Sequence, residues 1–186
     1  MDAWVWVVIA VAAIVVIGLL AWVATRKRRT DQLRDRFGPE YERTVGEAGD
    51  RRTAESDLLD RQKRREELDI RPLQPAARER YTTSWQETQQ RFVDAPADAV
   101  READALVSQV MRERGYPIDD FEQRAADISV DHPHLVENYR SARAIAERSG
   151  SGKASTEDLR QALVHYRALF DELLEPNDSD RTQGVS

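Results

Sequence analysis

Cysteine is absent from the 186 residues, which excludes disulfides, thiolate metal sites and a cysteine nucleophile, and fits a cytoplasmic domain. Histidine is scarce, limited to His132, His134 and His165. No stretch alternates apolar and polar residues as a half-buried strand would, which leaves an all-α fold. No G-x-S-x-G, H-E-x-x-H or dinucleotide-binding glycine pattern occurs. Charge is missing from one place above all, because no ionisable side chain lies between Asp2 and Arg26.

That uncharged run, AWVWVVIAVAAIVVIGLLAWVA from Ala3 to Ala24, is 22 residues long. As a helix it rises about 33 Å at 1.5 Å per residue, enough for a hydrocarbon core of roughly 30 Å. Trp4 and Trp6 stand at one end and Trp22 at the other, the level at which amphipathic rings settle beside lipid headgroups. The run therefore predicts a transmembrane anchor over 3–24. A cleaved signal peptide would carry positive charge before a shorter apolar run and small residues around the cut. Here Asp2 is the only charged side chain before the run, and a cut after Ala24 would put the bulky Trp22 where a small residue belongs. Arg26, Lys27, Arg28 and Arg29 close the run. By the positive-inside rule they predict a single-pass plasma-membrane protein with its N-terminus out and its body cytoplasmic. The same cluster could lie against anionic lipid, at about 1 kcal/mol per basic residue; its simpler role is stop-transfer and orientation.

Beyond the cluster about 157 residues remain, room for one domain with a modest core. They carry 24 basic and 33 acidic residues, a net of −9, which argues against a nucleic-acid partner because such binding rests on phosphate neutralisation. Residues 25–71 read as a basic juxtamembrane stretch followed by a polar helical spacer. Pro39 suits the first turn of a new helix. Between Asp50 and Glu67, 12 of 18 residues are charged, with Leu58 and Leu59 as the main apolar pair, so this part reads as a solvated stalk. Arg71-Pro72-Leu73-Gln74-Pro75 then breaks the chain.

Residues 72–175 differ in kind. Tyr81, Trp85, Thr88 and Phe92 share one helical face, as do Ala99, Ala103, Leu106, Val107, Val110 and Met111. Gly115 and Pro117 end the second of these helices. A short helical piece is expected around 119–127, with Phe121 and Ile128 inward. Asp131-His132-Pro133 reads as the start of the next helix, whose Leu135, Tyr139, Ala142 and Ala146 align. Ser155 or Thr156 caps the last helix, helped by Glu157 and Asp158 near its positive end. Leu159, Ala162, Leu163, Tyr166, Phe170 and Leu173 form its stripe. Four amphipathic segments with short connections predict a compact helical bundle, followed by a disordered tail over 176–186.

Chemistry-bearing motifs are few. Gly150-Ser151-Gly152-Lys153 invites a phosphate-loop reading, but position 147 is Glu, position 154 is Ala and a helix precedes, none of which the motif allows. His132-x-His134 beside Asp131 is the one metal-like constellation. It would need ligands such as His165 or Glu137 from elsewhere, and its plainer reading is a helix start with Asp131 as cap.

The strings RFGPEYERTV, RFVDAPADAV, RGYPIDDFEQRAADISVDHPHLVENYR and STEDLRQALVHYRALFDELL resemble those of a family of uncharacterised single-pass membrane-anchored helical proteins of high-GC bacteria of the actinobacterial type. The resemblance spans most of the chain after the anchor and implies no reaction, cofactor or catalytic residue. The residues and the resemblance together point to a membrane-tethered, non-enzymatic helical module with a cytoplasmic protein partner. Two other classes compete: a small-ligand, metal or enzymatic bundle with a site near His132 and His134, and a structural protein self-associating through the helix at 40–68.

Overall fold

A computed structural model describes residues 3–175, with side chains at Trp4 and from Val16 onward. The tail expected to be disordered, 176–186, lies outside the described residues. Eight α-helices account for the described chain, with no strand among the described residues: α1 (Ala3–Phe37), α2 (Pro39–Ala48), α3 (Arg51–Glu67), α4 (Pro75–Arg91), α5 (Pro96–Arg114), α6 (Phe121–Asp131), α7 (Val136–Gly150) and α8 (Thr156–Leu174). Pro39, Pro75 and Pro96 each occupy the first turn of a helix, where the missing N–H would have no intrahelical partner anyway. Ser155 and Asp158 form a reciprocal capping box at the start of α8.

Among the described residues no helix is long and apolar enough to cross a membrane. Half of the anchor expected over 3–24 falls on residues 5–15, whose side chains lie outside the described residues. The backbone there is helical and continues without interruption to Phe37.

The chain divides into two compact units, 1–58 and 59–186. In the first, the polar stretch holds a small apolar centre that its charge density hides. Leu33, Phe37, Tyr41, Ala54 and Leu58 are all buried. Glu55 on α3 ties the helices together by accepting hydrogen bonds from Thr30 on α1 at 2.8 Å and from Tyr41 on α2 at 3.0 Å. The spacer expected over 25–71 is thus divided: α2 and the first half of α3 lie in the first unit, and the chain from Leu59 onward lies in the second.

In the second unit α5 touches α4, α7 and α8, α8 also packs on α7, and α6 packs on α7. The stripes read from the sequence meet in one core, each large side chain contributing on the order of 1.5–3 kcal/mol by leaving water. Trp85 of α4 stacks on Phe170 of α8 with centroids 4.6 Å apart. Phe121, Tyr139 and Tyr166 continue the aromatic series at 5.0 and 6.4 Å.

The helix-start reading of Asp131 does not hold. Asp131 is the last residue of α6, and His132 is its C-cap. The reason is periodicity, since Phe121, Ala125, Ile128 and His132 fall at i, i+4, i+7 and i+11, one unbroken inward face. Asp120 caps α6 by accepting from the Gln123 backbone N–H at 2.8 Å.

Candidate functional site

Two places hold chemistry the core does not need: the corner around His132, and the exposed length of α1. At the corner, His132 is buried while His134, two residues on, is exposed. The turn that carries Pro133 sends one imidazole inward and the other to solvent, and His165 on α8 is only half-buried. No group of three or more His, Cys, Asp or Glu able to hold a metal ion occurs among the described residues. His132 Nδ1 lies 3.1 Å from Glu172 Oε1 of α8. A carboxylate only accepts, so in the neutral ring the proton sits on Nδ1 and Nε2 is left as an acceptor. Nε2 is buried and has no hydrogen-bond partner. Burial pushes this imidazole below its ordinary pKa, against the opposing pull of Glu172 and Asp131.

Asp131, next to His132, pairs with Arg65 of α3 and accepts from the Tyr116 hydroxyl at 2.7 Å. Burial, and then the Asp131 charge, push the Tyr116 phenol well above its usual range. One turn earlier on α6, Arg64 of α3 lies 3.4 Å from Asp127, and the Gln123 amide donates to the same carboxylate at 2.9 Å. Burial raises the Asp127 carboxyl even so. Arg114, at the end of α5, is fully buried and donates to the carbonyls of Leu173 at 3.0 Å and Arg71 at 3.3 Å. Across the bundle, Asp104 of α5 accepts from Arg143 of α7 at 2.8 Å and from the Tyr166 hydroxyl of α8 at 2.9 Å. Tyr139 is pushed up to about 12 by burial.

Apart from Gln123 to Asp127 within α6, these contacts bridge separate segments of the chain, which is the work of a buried polar network that fixes how helices pair. The sequence singled out His132 and Asp131 but not their partners Glu172, Arg65 and Tyr116. The inward face from Phe121 to His132 was the available signal for the buried histidine.

The corner makes a pH prediction. His132 is held neutral in the folded state, so the unfolded chain binds the extra proton once the pH falls below about 6.5. Stability contributed by the neutral ring is present above that value and is lost as the pH falls through it toward the depressed folded pKa. Thermal melts of the second unit should weaken between roughly pH 7 and 5.5, and His132→Asn, which keeps a donor toward Glu172, should flatten that slope. An unchanged slope in the variant would assign it to other groups.

The second place is α1. Trp4, Val16, Ile17, Leu19, Leu20, Trp22 and Val23 are all exposed, Trp4 at 66% and Ile17 at 65%. Arg26, Lys27, Arg28 and Arg29 follow, also exposed. Of the positions the sequence put forward, the described side chains from Val16 to Arg29 form one exposed surface, apolar and then cationic. No protein family, curated protein or solved structure matches the chain.

Proposed function

We propose that the protein is a single-pass, membrane-tethered helical module of no catalytic activity, with residues 3–24 in the bilayer and the bundle displayed in the cytoplasm for a protein partner. The observation that carries this reading is the exposed apolar length of α1. Among the described residues, the large apolar side chains at Trp4 and over 16–23 are more than half exposed, and a surface of that kind marks a partner or a membrane. Lipid is favoured over a protein groove by the 22-residue uncharged run, by tryptophan at both ends, and by four cations at one end only.

The test uses the full chain in cells. After an alkaline wash it should stay in the membrane pellet. Because no native cysteine exists, Lys153→Cys in the exposed turn before α8 offers one thiol, which an impermeant reagent should label only after permeabilisation. Release by the alkaline wash would overturn the anchor, and labelling of intact cells would overturn the orientation. Purification from solubilised membranes should bring down a stoichiometric protein; a bound metal or metabolite in its place would turn the reading toward the His132 corner.

A further inference from the structure

Two of the basic residues that follow the four cations are paired with acids. Arg34 is matched by Glu42 and Arg43 by Glu47, both at 2.7 Å. Arg26, Lys27, Arg28 and Arg29 have no acidic side chain within ion-pair distance among the described residues. At 3.6 residues per turn, four successive side chains leave the helix on all sides within a rise of about 4.5 Å. They therefore form a ring of charge at one level of the helix. Arg26 lies back over the Trp22 ring at 5.5 Å, the direction a helical side chain takes toward the N-terminus and here toward the apolar run. The rest of the chain beyond the ring is net −9, so the ring is followed by a body that is acidic on balance.

We propose that the ring from Arg26 to Arg29 is a binding site for anionic phospholipid headgroups, collected around α1 in the leaflet that faces the body. The inference rests on the reading of α1 as a membrane anchor. Its chemistry is that of phosphate recognition. Three of the four cations are arginine, whose planar guanidinium offers paired N–H donors to phosphate oxygens. The body, acidic on balance, is repelled by the same anionic surface. An acidic segment of a partner protein is the rival occupant.

The experiment reconstitutes the full chain in phosphatidylcholine vesicles doped with spin-labelled phosphatidylglycerol or, separately, spin-labelled phosphatidylcholine. Electron paramagnetic resonance then reads the fraction of each label immobilised by the protein. The expected result is a preference for phosphatidylglycerol of roughly five-fold, the factor for one cation near the surface. That preference should shrink as salt is raised and approach parity in the Arg26→Gln, Lys27→Gln, Arg28→Gln, Arg29→Gln quadruple variant. Equal association of both lipids with a chain that survives the alkaline wash would overturn the ring and leave the anchor standing, pointing to the acidic-protein occupant. A preference that persists in the quadruple variant would overturn it as well. A wild-type chain that leaves neutral vesicles on washing would overturn the anchor itself. The salt dependence of the wild-type chain decides the matter should the variant insert poorly.

Discussion

Trp85→Ala should destabilise a fragment from Leu59 to Glu175 by about 3–5 kcal/mol. Trp85 is buried on α4, and its ring stacks on Phe170 of α8 at an interplanar angle of 20°. Removing it opens a void between helices that cannot close without moving one of them. In that fragment it is the only tryptophan, so a blue-shifted emission reports its burial directly. The indole Nε1 is buried with no hydrogen-bond partner. Trp85→Phe removes that unmet donor while keeping a ring against Phe170, and should recover most of the loss. An emission like that of free tryptophan would contradict the packing and mark an exposed aromatic face.

Gly115→Ala should cost about 3 kcal/mol by a different route. Gly115 ends α5 in the left-handed region at φ 101°, where a side chain brings about 1–2 kcal/mol of strain. An added Cβ would also fall on the backbone carbonyl oxygen of Asp69. That carbonyl belongs to a turn strapped to the end of α5: the Arg71 N–H donates to the Arg114 carbonyl at 2.8 Å, and the Arg114 side chain returns a bond to the Arg71 carbonyl. Pushing Asp69 away loosens both. Gly150→Ala, at a helical position with open space around it, is the control and should be neutral or slightly stabilising. Equal denaturant midpoints for the two variants would contradict the close approach at Gly115.

Much of the bundle was legible because its helices announce themselves. Proline at the first turn of α2, α4 and α5, glycine after α5 and serine before α8 are local signals with local causes. The stripes of α4, α5 and α8 need only a period of 3.6. Three features were not legible for reasons of the same kind. The apolar centre of the first unit draws Leu33 and Phe37 from α1 and Tyr41 from α2, across Gly38 and Pro39, so no single helical window contains it. Arg64 and Arg65 lie in a run of charges that looks uniformly solvated, and only the fold sets two of them against Asp127 and Asp131. Asp131 before His132-Pro133 imitates a helix start, and the inward periodicity of α6 outweighed that local pattern. At the candidate site the sequence located the apolar run, the cations and His132, though not its burial. The partners that decide what the histidine does come from α3, α8 and the loop after α5.

One property of α1 has mechanical meaning. No proline or glycine interrupts it between Gly18 and Gly38, and such residues are the usual origin of kinks. From Trp22 to Thr30 is eight residues, about 12 Å of unbroken helix, and Thr30 is already bonded to Glu55. On the anchored reading, α1 is a drive shaft without a universal joint. A twist of the helix in the bilayer by one residue step, about 100°, would swing Leu33 and Phe37 by the same angle. It would pull Thr30 off Glu55, while a flexible tether would let such a turn dissipate before it reached α2 and α3.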